Sequence, residues 1–357
     1  MKKNKMVFII LILSLLLMIQ GCKKIESVNN SNVLTTTSPS PTPEITIAPT
    51  NTPTIIPTFI PEDFSMEAYK KFLKNENKVS FDRFMPKDDM EEALYKSGSE
   101  YTLSEVLKIL TDYYFKSSEN KKVEYLDYSY IDCGKDGVNE LALRFNGMDI
   151  YDRDDDSTLV YIMKYIDGKL FLTYCYETWA RSESSMNEYG YYQSGGSNGA
   201  SNHISEYSLI DKDGNLHFIA SIESELDINQ LALSDDLGVI PKLVEAKEVS
   251  GNIEVDTICF NQDNTAILDE VSDKEYFYTF YVYDDNWEPV EAADLYTSSI
   301  YKEIFDEASV PFITPEEVSK MIMEKEKKLG ATADMTEDAE ITWKTLNGNM
   351  FSDYVES

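Results

Sequence analysis

The sequence predicts an α+β fold: a largely antiparallel sheet built from hairpins, with helices at the N- and C-terminal ends of the domain. Two observations carry this. Helix signals sit near both ends of the chain beyond Pro61, and the stretch between them is a run of apolar segments broken by Asp-Gly turns. The strand–helix alternation that a parallel sheet requires is missing.

Phe64, Ala68 and Phe72 recur at helical spacing, so Phe64 to Leu73 is read as the first helix. Thr102-Leu103-Ser104-Glu105 has the form of a capping box, and Val106, Leu107, Leu110 and Tyr114 then share one face. At the other end Thr314 precedes Pro315 and Glu317, and the pattern runs to Lys327-Lys328-Leu329-Gly330. Proline at the first helical position, basic residues in the last turn and a glycine stop mark both limits of that helix. Between these lie the expected strands. Val123 to Tyr130 and Leu141 to Phe145 flank an acidic loop. Leu159 to Ile166 and Lys169 to Tyr176 flank Asp167-Gly168, a strong hairpin signal. Glu206 to Ile210 and Leu216 to Ile222 flank Lys212-Asp213-Gly214-Asn215, and Tyr276 to Tyr283 is a further tyrosine-rich strand.

The N-terminus reads differently. Lys2, Lys3 and Lys5 precede an apolar run, Met6 to Ile19, broken only by Ser14, and Ile19-Gln20-Gly21-Cys22 follows. The run is shorter than the roughly 20 residues of a membrane span and reads as a secretory signal. It resembles the bacterial lipoprotein signal, with Ile19 and Gly21 in lipobox positions. That resemblance implies a signal peptide over 1–21, lipidation of Cys22, attachment to a lipid bilayer, and a place on the outer face of the cell membrane. Residues 22–61 carry seven prolines among Thr, Ser and Asn, a composition too poor in apolar groups to fold. As polyproline II such a tether reaches roughly 120 Å.

Residues 62–330 are expected to form a single extracytoplasmic domain, and 331–357 a C-terminal tail able to add a final strand. With 42% hydrophobic residues, 24 Tyr and 16 Phe, that length sustains a full core. The net charge is −32; removing Met1 to Gly21 deletes three Lys and no acid, leaving −35. So acidic a chain repels nucleic acid, which is excluded as a partner.

Candidate chemistry is sparse. Asp132-Cys133-Gly134-Lys135-Asp136-Gly137-Val138-Asn139-Glu140-Leu141 places acids at positions 1, 5 and 9 with glycine at 6, a spacing suited to oxygen ligation of calcium. It resembles the calcium loops of FG-GAP and dockerin-like repeats. By that resemblance Asp132, Asp136 and Glu140 would supply side chains and Val138 a carbonyl to Ca2+, although position 3, Gly134, offers no side-chain oxygen. The tract Tyr130 to Phe145, with Trp179-Ala180-Arg181-Ser182, Asn187-Glu188-Tyr189-Gly190 and Ser194-Gly195-Gly196-Ser197, resembles uncharacterised surface lipoproteins of Gram-positive anaerobes.

Gly195-Gly196-Ser197-Asn198-Gly199 fits the G-x-S-x-G pattern of a nucleophile elbow. No apolar strand or helix flanks it, so it is read as a flexible Gly/Ser loop. His203 and His217, the two histidines, lack zinc-site spacing. Cys133, Cys175 and Cys259 allow at most one disulfide. Asp149 to Asp156 is read as a solvated acidic loop. Trp179, Tyr189, Tyr191 and Tyr192 surround the polar loop, a composition suited to recognising sugars or peptides. With no catalytic residue distinguished, the expected class is a non-enzymatic binding protein for a glycan or peptide, cell-wall material included. The alternative is a cell-wall or glycan hydrolase using a carboxylate pair.

Overall fold

The computed structural model describes residues 64–84, 94–96, 98–115, 122–150, 157–261, 275–336 and 339–356. The chain divides into Met1–Ile60 and Pro61–Ser357. The first unit, with Cys22 and nearly all of the tether, lies outside the described residues, as do residues 151–156 of the acidic loop.

The second unit is α+β, with two mostly antiparallel sheets and helices toward both ends. Helix α1 (Ser65–Leu73) leads to the short strands β1 (Val79–Ser80) and β2 (Glu100–Tyr101), then α2 (Leu103–Tyr114). The Thr102–Glu105 capping box closes reciprocally and fixes where α2 starts. Four long strands follow: β3 (Tyr125–Ile131), β4 (Glu140–Met148), β5 (Ser157–Ile166) and β6 (Lys169–Thr178). The β5–β6 turn uses Asp167 and Gly168 with φ of 49° and 87°, the left-handed pair that an Asp-Gly hairpin supplies.

The second half begins with β7 (Ser182–Met186), β8 (Tyr191–Ser197), β9 (Asn202–Ile210) and β10 (Leu216–Glu225). Helix α3 (Ile240–Ala246), β11 (Asn252–Cys259), β12 (Tyr276–Tyr283), α4 (Ile300–Ala308), α5 (Pro315–Lys328), α6 (Ala333–Thr336) and β13 (Lys344–Leu346) complete it. The first sheet has the order β13-β3-β4-β5-β6-β1-β2, and its one parallel pair is β1 with β6. The second runs β12-β11-β10-β9-β8-β7, antiparallel throughout.

Both faces of the first sheet are buried. One packs on α1 and α2 through Tyr69, Phe72, Leu107, Leu110, Phe145 and Tyr161. The other meets β7–β9 through Ile131, Ile162, Tyr174, Tyr176, Met186, Tyr192 and Ile210. Helices α3 and α4 close one face of the second sheet around Phe280 and Phe305. Helix α5 lies near the opposite face, beside Leu209, Ile219 and Ala220.

The C-terminal residues belong to the first sheet. Strand β13 pairs with β3, Thr345 Oγ1 donates to Asp127 Oδ1 at 2.8 Å, and Arg144 ion-pairs with Asp127 at 2.7 Å. The same guanidinium lies 4.4 Å from the Trp343 ring centroid, and Phe351 and Val355 are buried beneath α2 and β3.

One expectation is corrected. Of Gly195 to Gly199, read as a flexible loop, Gly195 to Ser197 form the end of strand β8, paired with β9 and, through Gly196, with β7. Glycine and serine are weak strand formers. Pairing on both edges supplies what their propensity lacks.

Candidate functional site

The Asp132–Glu140 loop folds around its own backbone. Asp132 Oδ1 accepts from the N–H groups of Asp136 at 2.9 Å and Gly137 at 3.1 Å, and Asp136 Oδ1 accepts from Val138 N–H at 2.8 Å. Asp132, Asp136 and Val138 therefore lie on the outer turn. Glu140 does not join them. It begins β4 with its side chain wholly buried, ion-paired to Lys164 and accepting the Cys133 N–H at 2.8 Å. Burial pushes the Glu140 carboxyl up to about 7, against the pull of Lys164 and the hydrogen bond from Cys133. Among the described residues no group of three or more His, Cys, Asp or Glu side chains comes together as a metal cluster.

Gly134 explains the break in the loop pattern. Its φ is +76°, and a Cβ there would lie 2.5 Å from the backbone nitrogen of Lys212 in the β9–β10 hairpin. Position 3 is thus where two hairpins touch, and no side chain fits. Gly134→Asp, which would complete the calcium-loop pattern, is expected to destabilise the fold by about 2 kcal/mol or more from left-handed strain and overlap. Thermal melts with and without 5 mM (order of magnitude) calcium check this; a melting point restored by calcium would refute it.

The four aromatics named from sequence do not form one patch. Tyr192 points into the core between the sheets, with ring centroids 5.4 Å from Tyr174 and 5.5 Å from Tyr176. Tyr191, next along β8, necessarily points the other way; its hydroxyl donates to Glu326 Oε1 of α5 at 2.7 Å. Burial, then the Glu326 carboxylate, raises its phenol well above the ordinary value. Tyr189 lies under the Lys135 ammonium, 4.6 Å from the ring centroid. Trp179 is half-buried at the crossover from β6 to β7, where it bridges to Ser182. Strand alternation dispersed what a sequence cluster had suggested.

Tyr191 nevertheless borders a pocket. A cavity of about 200 Å³ opens beside β7 and β8, lined by Ser185, Asn187, Tyr191, Gln193, Thr336 and Glu340, among others. Asn187 is the framework: its Oδ1 accepts from the N–H groups of Tyr189 and Tyr191, and its Nδ2 donates to the Met335 carbonyl at 2.7 Å. Ser185, Gln193 and Glu340 are exposed, leaving a hydroxyl, an amide and a carboxylate at the mouth.

Ser197 stands opposite His203 in the β8–β9 register, and its hydroxyl is directed to the Gly199 carbonyl at 2.5 Å. A nucleophile elbow needs a sharp strand-to-helix turn; here an antiparallel ladder follows. Cys133, Cys175 and Cys259 are free, buried thiols. One carboxylate pair emerges that sequence reading did not single out, Glu254 and Asp256, which share one face of β11. Ser224 of β10 stands opposite Asp256 in the ladder, beside both carboxyls. Strand alternation was the available signal, but β11 lacks any neighbouring motif to draw attention to it.

Comparison of the chain with protein-family models, curated proteins and solved structures returned no match.

Proposed function

We propose that the chain is an extracytoplasmic lipoprotein held on the outer face of a membrane through Cys22, and that its folded part is a non-enzymatic binding protein for a glycan or peptide. The basic leader, the short apolar run and the Pro-rich tether support the address. The pocket beside Tyr191 carries the binding reading. Ser185 and Gln193 sit opposite each other on the paired strands β7 and β8, so these polar groups are pre-positioned for a ligand. At about 200 Å³ it is smaller than the roughly 300–1,000 Å³ of a site for a whole drug-sized molecule. It suits one residue of a polymer.

Two measurements test this. An alkyne fatty acid fed to expressing cells should label the wild type and not Cys22→Ser; labelling of neither removes the anchor. The full chain in detergent, applied to an array of glycans and muropeptides, should bind a subset and lose that binding in Gln193→Ala. Release of reducing ends from the same glycans would instead establish the hydrolase. Glu254 and Asp256, with Cα atoms roughly 6.6 Å apart along a strand, would then be its carboxylate pair.

A further inference from the structure

The hairpin after β12 carries an unusual residue at its most constrained position. The turn is fixed by Asp284, whose Oδ1 accepts from the N–H groups of Asn286 at 2.8 Å and Glu288 at 3.0 Å, while its carbonyl accepts from Trp287 N–H at 3.0 Å. This geometry holds Trp287 at a φ of 63°. Glycine or asparagine occupies such a position without strain, whereas a bulky aromatic there is an outlier. Trp287 is also 47% exposed. A strained backbone and a wet indole are both unfavourable for folding, and observed strain of this kind concentrates where a side chain has a task outside the fold.

What surrounds the indole is specific. The Tyr283 ring lies 5.9 Å away, tilted by 41°, so the two rings form a shallow aromatic ledge. Tyr283 Oη donates to Glu254 Oε2 at 2.8 Å. Glu254 is half-buried beside the ledge, and burial raises its carboxyl above the ordinary value despite the bond from Tyr283 and the nearby His203. His203 is exposed, two strands away from Glu254.

We propose that Trp287 and Tyr283 form a carbohydrate subsite on which one pyranose ring stacks, with the Glu254 carboxylate accepting hydrogen bonds from its hydroxyl or amino groups. Sugars present one face of C–H groups, weakly positive, and a rim of hydroxyls. The negative π-face of an indole matches the first, and a carboxylate at the edge matches the second. A shallow, open ledge with one polar flank fits a ring edged by hydroxyls better than an extended peptide, which would use a strand edge or a groove. The chain's net charge of −32 disfavours acidic polysaccharides, leaving neutral or amino sugars. This subsite narrows the binding reading to glycans and rests on it, but it lies apart in sequence from the residues of the Tyr191 pocket and can fail alone.

The test uses the full chain in detergent with three tetrasaccharides: N-acetylglucosamine, glucosamine and glucose, each β-1,4-linked. At least one should shift tryptophan emission to the blue in the wild type and give saturable heat by calorimetry. The neutral and cationic probes separate hydroxyl from ammonium recognition. Trp287→Gly should abolish the emission shift and weaken binding tenfold or more, while its melting temperature stays level or rises because the backbone strain is relieved. Glu254→Gln should weaken the best probe without removing the emission shift. Silence toward all three probes overturns the subsite. So does unchanged binding by Trp287→Gly, and a lower melting temperature with binding intact would make Trp287 a packing residue. Binding lost in Gln193→Ala but kept in Trp287→Gly would leave the binding reading standing and remove this subsite.

Discussion

Lys164→Met at pH 8 is expected to destabilise the folded unit by about 3–5 kcal/mol, the penalty of leaving a buried charge unpaired. Lys164 is 7% exposed and its ammonium pairs with Glu140, which is fully buried. The methionine keeps the volume and deletes the charge, so packing loss is small. Glu140 would then be an isolated carboxylate held between the sheets. Adding Glu140→Gln removes that charge and should recover most of the loss, because the amide oxygen can still accept the Cys133 N–H. The effect carries a pH signature. Glu140 has a folded pKa of about 7, raised from 4.5 by burial. A raised folded value means that its favourable contribution is complete below about 4.5 and is lost as pH rises through about 7. Without Lys164 the carboxyl is pushed higher still, so the gap between wild type and Lys164→Met should widen from pH 5 to pH 8. Urea unfolding across that range measures it. A gap that is flat with pH would mean that the ion pair is hydrated and that the lysine acts only through its methylenes.

Much of the fold is written locally, and the exceptions have physical causes. The Thr102–Glu105 capping box, the Thr314-Pro315 start with Glu317 bonded back to Thr314, and the Asp167-Gly168 hairpin are short-range signals, and α2, α5 and the β5–β6 turn lie where those residues put them. Strand β12 spans Tyr276–Tyr283, the limits read from its tyrosine run. Strand β8 was illegible because its glycines and serines carry no intrinsic preference; it exists through its two neighbours. Helices α3 and α4 are short, and the apolar face they cover is built from residues of both β11 and β12, distant from them in sequence. Site residues were read less well for a related reason. Tyr191 and Tyr192 looked like one cluster in sequence, yet adjacent strand positions face opposite sides. Glu140 looked like a ligand at loop position 9, yet it is the first residue of β4 and turns inward to Lys164. Trp287 was invisible to a pattern search, because what distinguishes it is a backbone angle and an exposure, neither of which a residue name contains.

Asp256→Asn should stabilise the protein at neutral pH, against the usual direction for a buried substitution. Asp256 is 6% exposed, and no basic residue forms a salt bridge to it among the described residues. Its Oδ1 has no hydrogen-bond partner, and across the ladder the fully buried Thr279 Oγ1 is likewise unmatched. Burial, then the charge of Glu254, pushes the Asp256 carboxyl from 3.8 up to about 7, with only the Ser224 hydrogen bond opposing. The sign follows from linkage. The folded state holds this proton more tightly than the unfolded chain, so stability is greatest below pH 4 and falls as pH rises through about 7. Three pH units at roughly 1.4 kcal/mol each bound the loss near 4 kcal/mol. Asparagine is the same shape without the ionisation, so its advantage should be near zero at pH 4, grow through pH 6, and level off at about 2–4 kcal/mol above pH 8. Comparing the two proteins cancels the parallel titration of Glu140, which lies elsewhere, in the first sheet. An advantage that shrank with pH would show that Asp256 is ionised and favourably paired when folded, and the buried carboxyl beneath Glu254 would then be a charge with a partner rather than a proton reservoir.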